Sequence, residues 1–453
     1  MKRLTIMLLM LTLMLPVAVT SSFAQSTEQE IQQLKQMVEQ NRKQNEELMK
    51  RIEQLESEKA TTQVQVDKFV SEQEKKNTSY DDLLSLINSI NVGFSVDTTY
   101  QYVFNRGATD SLQLRSLYPD NQQFAINAFT ISISKTPTLE GGLVNLLGFR
   151  ADILLGEQSS DLSDSGFQSD VIQPYQLYLQ VLAPVGKGIN IFAGRFSTLA
   201  GYEVIEAKND PNITRSILFG SAIPFTHTGV RANYTQGPIS FTAGLNNGWD
   251  QVKSGTGSPA SGTGSPGIES QLAYSYSGKT VSSAWLGVTG LFGKEPSGLG
   301  FGGEGWREFI SAVGTITFMQ KLSFIVESDF GWQQDVVINA AGTREDAKWW
   351  GVAGYIVADP HPAVRLSLRG EYFDDPEGYR TGVDQKLVEV TPTLILKPFK
   401  GLIVGNKYLD NFEARAEFRW DHSNNAFFVT NNNGELKTNQ YGVMGQLLYW
   451  INL

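Results

Sequence analysis

The sequence predicts an all-β chain: a transmembrane antiparallel β-barrel of about 16 strands, in the range of roughly 14–18, behind a short coiled-coil helix. Three observations predict it. Long stretches alternate apolar and polar residues with a period of two, as in "AVRLSLRGEYF" (363–373). The connections between such stretches alternate long and short along the chain. The N-terminus carries an export signal.

In residues 1–24, Met1-Lys2-Arg3 is a basic start and Leu4 to Val19 an apolar run. Ser22-Phe23-Ala24 then gives small residues for cleavage before Gln25. Removing Lys2 and Arg3 takes the formal charge from −10 to −12. An acidic chain is a poor partner for nucleic acid. With no cysteine and only His227, His361 and His422, nothing clusters as a metal or cofactor site.

Residues 25–60 are expected to form a periplasmic coiled coil. Ile31, Leu34, Val38, Asn41, Asn45, Leu48, Ile52 and Leu55 are spaced three and four apart, the a/d seam of a heptad repeat. The two Asn weaken the seam while fixing its register. Such a seam makes the chain an oligomer and leaves contact with a periplasmic or cell-wall partner open. Residues 61–90 read as a polar linker.

Residues 91–453 are the expected barrel. Strands are predicted at 91–104, 124–135, 144–156, 173–183, 188–197, 225–235, 239–247, 268–276, 281–292, 306–318, 321–332, 346–357, 362–374, 385–396, 411–421 and 440–450. Most have the roughly 9–11 residues that cross a bilayer at a tilt. Tight connections such as Pro184–Lys187, Met319–Gln320 and Asp359–His361 are expected at the periplasmic end, and long ones outside the cell. "EARAEFRWD" (413–421) puts five charges on one strand face. A water-filled lumen accommodates them, with the apolar face toward lipid. The inward candidates are Asp97, Arg150, Asp152, Glu327, Asp329, Arg365, Arg369, Glu371, Glu389, Glu413, Arg415, Glu417 and Arg419. They could border a passage or pair with one another and stabilise the wall. Tyr102, Phe104, Trp249, Trp332, Trp349, Trp350, Trp420 and Trp450 suit aromatic girdles.

The longest connection, 198–224, contains the apolar run "SILFGSAIPF" (216–225), which water would not tolerate as an exposed patch. Folded back into the barrel, it would leave Glu203, Glu206, Lys208, Asp210 and Arg215 to border a passage. Packing on a neighbouring subunit is the alternative.

The run "GRFSTLAGYEVIEAKNDPNITRSILFGSAIPFTHTGVRANY" (194–234), with "LNNGWDQV" (245–252) and "RGEYFDDPEGYRTG" (369–382), resembles the β-barrel porin family of the OmpL-like type over about 91–453. The resemblance implies an outer-membrane barrel in a Gram-negative type of cell. It implies neither a substrate nor catalytic residues. Here the chain departs from the common aromatic terminus of such barrels, ending Tyr449-Trp450-Ile451-Asn452-Leu453. By analogy with sixteen-stranded general porins, the loop after the fifth strand is the constriction and the assembly a homotrimer.

The expected function is passive diffusion of small hydrophilic solutes or ions through a porin held in outer-membrane lipid. The alternative is a structural tether or adhesin acting through the coiled coil. A barrel lipase or protease would need a histidine beside a nucleophile or carboxylate. His361 sits in a turn, His422 begins a loop, His227 has only Thr226 and Thr228 as hydroxyl neighbours, and no G-x-S-x-G occurs. No enzyme is expected.

Overall fold

The structure, a computed structural model, describes residues 51, 87–104, 112–118, 122–140, 142–162, 171–252, 265–296, 304–337, 342–400, 408–430 and 434–453. The signal peptide, the whole coiled-coil seam and most of the linker lie outside the described residues.

Period-two sequence becomes strand throughout. The strands are β1 (Ile90–Val103), β2 (Phe124–Lys135), β3 (Leu147–Leu155), β4 (Ile172–Ala183), β5 (Ile189–Ser197), β6 (Thr226–Gln236), β7 (Ile239–Asn246), β8 (Gly267–Tyr276) and β9 (Val281–Pro296). They continue as β10 (Glu304–Phe318), β11 (Leu322–Val337), β12 (Arg344–His361), β13 (Val364–Asp375), β14 (Gln385–Leu396), β15 (Phe412–Ser423), β16 (Phe428–Val429), β17 (Leu436–Lys437) and β18 (Asn439–Asn452). Among the described residues, β1–β15 and β18 pair antiparallel in chain order, and β1 closes on β18 to leave no edge. The short pair β16–β17 sits in the connection before β18, where Gly434 has φ +76°.

Alternation fixes the faces. Leu366 and Leu368 on β13 are exposed outward, while the alternate residues Ser367, Arg369 and Glu371 are buried inward. One end of the barrel carries tight turns. The three-residue connection Met319–Lys321 turns tightly without glycine, Met319 and Gln320 having φ of +50° and +57°. The other end carries the long connections and is called the loop end below.

The expected strand bounds hold to a few residues, with one systematic difference. β9–β12 have 16, 15, 16 and 18 residues and continue past the expected ends toward the loop end. The added residues are mostly polar and follow no lipid-facing apolar alternation; Arg344 and Glu345 are exposed, whereas Glu295 and Gln333 are buried. The tight-turn connection 136–146 also contains a 3₁₀ turn, Leu143–Leu146, where the sequence predicted the start of a strand.

Two bulges turn extra side chains inward. Register shifts between Asp97 and Thr98 opposite β2, leaving Asn127 unmatched, and between Asp152 and Ile153 opposite β4, leaving Tyr175 unmatched. The Nδ2 of Asn127 donates to Thr99 Oγ1 at 2.6 Å. Tyr175 is 1 % exposed, and its hydroxyl donates to Glu206 at 2.8 Å.

Candidate functional site

Residues 198–224 run across the inside of the barrel. Leu199 O accepts from Gln271 Nε2 and Thr289 Oγ1, both at 3.0 Å, on β8 and β9. Gly201 N donates to Ser311 Oγ on β10 at 3.0 Å, and Tyr202 N to Glu327 on β11 at 3.1 Å. Further along, Asn212 Nδ2 donates to Thr393 Oγ1 on β14 at 2.7 Å. Ile213 N and Thr214 N donate to Glu417 on β15, at 2.6 and 3.0 Å. Ile217 N and Leu218 N donate to Glu371 on β13, at 2.7 and 3.1 Å. Trp349 Nε1 on β12 closes the series with a 3.0 Å bond to Ala222 O.

These bonds explain how an irregular segment can be dry. A buried backbone N–H or C=O without a partner is costly. Here wall carboxylates accept from the segment's N–H groups and wall arginines donate to its carbonyls. Arg369 donates to Thr214 O at 2.6 Å, Arg415 to Ala207 O and Asp210 O at 3.1 Å each, and Arg419 to Arg215 O. Within the segment, Arg215 donates to Val204 O, Ile205 O and Ile213 O and pairs with Asp210 at 3.0 Å. The apolar run follows the same logic. Ile217, Leu218, Phe219, Ala222 and Ile223 form one buried cluster with Trp349, Tyr355 and Phe373 of the wall. Leu218–Ala222 is a single π-helical turn.

Most inward candidates are therefore engaged. Arg369 pairs with Glu203 at 2.7 Å and with Glu389 at 3.1 Å, Arg415 with Glu413 at 2.6 Å and Arg419 with Asp421 at 2.7 Å. Several of these pairs join positions i and i+2 of one strand rather than neighbouring strands. Asp97 accepts from Tyr118 and Gln446, and Asp329 is buried on β11 beside Glu327. Arg365 is half-exposed near the tight-turn end and pairs with Asp359 at 2.8 Å.

Of the five segment residues expected to border a passage, Glu203, Asp210 and Arg215 are buried and paired, which corrects that reading for them. Their charge holds the segment's shape. Glu206 and Lys208 keep partial exposure and meet Arg150 and Asp152 of β3. Lys208 Nζ lies 2.9 Å from Glu206, Arg150 Nη2 3.5 Å from Glu206, and Arg150 Nε 2.6 Å from Asp152. Burial alone would raise the Glu206 carboxyl. Lys208, Tyr175 and Arg150 outweigh it and hold the group below the ordinary glutamate range. Tyr178, Gln180, Asn190 and Asn233, on β4 to β6 between outward apolar positions, are also half-exposed inside.

Two expected girdle residues are corrected. Trp349 is 0 % and Trp249 8 % exposed, because Trp349 and Trp350 are adjacent on a strand and only one can face lipid. Trp249 and Trp349 instead stack edge-to-face at 6.1 Å inside the loop end. The expected inward set also omitted Arg195, Arg231, Glu269, Glu295 and Arg307, all buried. Their signal was present, since Glu269 follows outward Ile268 and Arg307 follows outward Trp306. Tyr175 had no such signal, because its bulge breaks the alternation. His227 is buried, with Thr198 Oγ1 at 3.3 Å and Gly248 O at 3.2 Å as ring partners.

A protein-family model described as "Putative beta-barrel porin-2, OmpL-like" matches residues 89–449. The chain belongs to this porin family. It is a barrel of the Gram-negative outer membrane. Among solved structures it is similar to the anion-selective porin from Comamonas acidovorans. That match has a TM-score of 0.50 and 13% identity over 80% of this chain and 99% of that one. The outer membrane channel DcaP of Acinetobacter baumannii aligns with a TM-score of 0.49 and 12% identity, covering 80% and 97%. No curated protein matches the chain in sequence.

Proposed function

We propose that this porin is a water-filled channel for passive diffusion of small hydrophilic solutes or ions, narrowed by residues 198–224. The observation that carries the reading is the partial exposure of Glu206 and Lys208 beside Arg150, while the rest of the segment's charge is buried. In this reading the passage runs between the segment and the β3–β6 wall, past Tyr178, Gln180 and Asn190. Arg150 and Lys208 balance Asp152 and Glu206, so charge preference is weak and easily tilted. The loop end faces outside, the N-terminal segment is periplasmic, and the heptad seam at 25–60 joins three copies.

The closed, largely dry packing of 198–224 also favours a second reading, a tether whose barrel conducts little and whose coiled coil does the work. Single-channel recording of the full chain in planar bilayers separates the two. The channel reading expects discrete conductance, with Lys208→Glu moving the reversal potential in a salt gradient toward cation preference. Absence of conductance from folded barrels would sink that reading. An unmoved reversal potential would take Lys208 out of the passage.

A further inference from the structure

On the loop-end side of the buried segment lies a cavity of about 410 Å³. Its lining comes from 112–116, Asp161, 220–221, Phe225, 380–381 and Phe427, none of which takes part in the Glu206–Lys208 cluster. Gly220 forms part of the floor, where an added Cβ would stand 2.1 Å from Ser116 Oγ.

Arg380 is the group that matters. Its Cζ lies 5.1 Å from the Trp249 ring centre and 5.3 Å from that of Trp349, and its Nε donates to Ser221 O. Among the described residues neither Nη1 nor Nη2 of Arg380 has a hydrogen bond or ion pair. Arg307 stands over the same rings, 4.7 Å from the Trp249 centre. Burial, and then the positive charge of Arg307, lower the pKa of Arg380 although Asp250 and Asp375 oppose them. Arg115 lines the cavity as well. Its Nη2 pairs with Asp421 at 3.0 Å and its Nε reaches Gln440 at 3.5 Å, but its Nη1 has no partner among the described residues. Burial outweighs Asp421 and lowers Arg115 to about 10. The one carboxylate in the lining, Asp161, accepts from Leu117 N at 2.6 Å.

We propose that this cavity binds a small solute through a carboxylate or phosphate group, held by the unpaired edge of Arg380 and supported by Arg115. A guanidinium edge presents two parallel donors matched to such an oxyanion. The volume lies within the roughly 300–1,000 Å³ of small-molecule sites. The proposal rests on the channel reading for its purpose, since a site beside the passage would concentrate anionic solutes, but not for its test.

The test titrates the full chain in detergent with succinate and, separately, inorganic phosphate, reading tryptophan emission because Trp249 and Trp349 contact Arg380. A saturable change with either anion is expected, and the responding anion assigns the group. Apparent affinity should fall at least tenfold in Arg380→Gln and in Ser116→Asp, which places a competing carboxylate in the cavity. Should Arg380→Gln fail to fold by circular dichroism, Ser116→Asp carries the test alone. No saturable change with either anion, or unchanged affinity in the folded variants, overturns the proposal. Binding without conductance would remove the channel reading and leave this one standing; conductance without binding would do the reverse.

Discussion

The two sides of the barrel interior are built from different chemistry. The wall β11–β15 carries Glu327, Arg369, Glu371, Arg415, Glu417 and Arg419, all buried and each bonded to residues 198–224. The wall β4–β6 carries Tyr178, Gln180, Asn190 and Asn233, uncharged and half-exposed, while its charged Arg195 and Arg231 are buried. Charge inside a barrel therefore need not be charge that a solute meets. A dry segment without regular secondary structure needs strong partners for each N–H and C=O, and ionised groups are the strongest available. Water solvates the other wall, so weak polar groups suffice there.

The largest expected effect breaks the charged wall. Arg369→Ala removes the partner of Glu203, Glu389 and Thr214 O, leaving buried charge uncompensated. Breaking a buried pair costs about 3–5 kcal/mol. Gln180→Ala, at a half-exposed uncharged position of the β4–β6 wall, should stay within about 0.5 kcal/mol of the parent, as surface substitutions do. Unfolding midpoints in urea, measured in lipid vesicles, compare the two; equal shifts would abolish the distinction between the walls. Arg369 thus takes the second of the two roles open to an inward candidate, pairing and stabilising the wall.

Next in size is the outer face. Leu366→Arg turns a charge toward lipid at about 2–4 kcal/mol near the midplane. Assembly of this variant at the yield of the parent would mean that Leu366 does not face lipid.

Tyr175→Phe probes the join between segment and wall. It deletes the hydroxyl bond to Glu206, and a bond to a charged group contributes about 1.5–3 kcal/mol. A midpoint shift outside that range, in either direction, would mean that this bond does not carry the join.

The smallest effect is on pH. Glu206 is held below the ordinary glutamate value of 4.5, so its charge and its stabilising pairs persist at neutral pH and are lost only as pH falls through that lower value. Reversal potentials should hold to lower pH than an ordinary glutamate would allow and drift toward anion preference only as pH falls below the ordinary glutamate range. Glu206→Gln should already show that preference at pH 7 and lose the drift. A drift that persists in Glu206→Gln would assign it to another carboxylate.

The sequence by itself determined the wall. Alternation in 385–396, and in 124–135 on either side of the bulge at Asn127, predicts β14 and β2 to the residue, because a lipid-facing side chain must be apolar and its neighbour need not be. The same constraint ends where the membrane ends, so the loop-end extensions of β9–β12 were illegible. The apolar run 216–225 also announced that 198–224 could not stand in water. Which of its charges would be exposed was decided only by the tertiary structure. Glu203, Glu206, Lys208, Asp210 and Arg215 look alike in the chain. Three are buried and two are not, because burial depends on whether a wall residue distant in sequence stands opposite. Arg369 lies 166 positions from Glu203. Tyr175 and Trp349 make the same point at the wall, one turned inward by a bulge and the other by the parity of its neighbour.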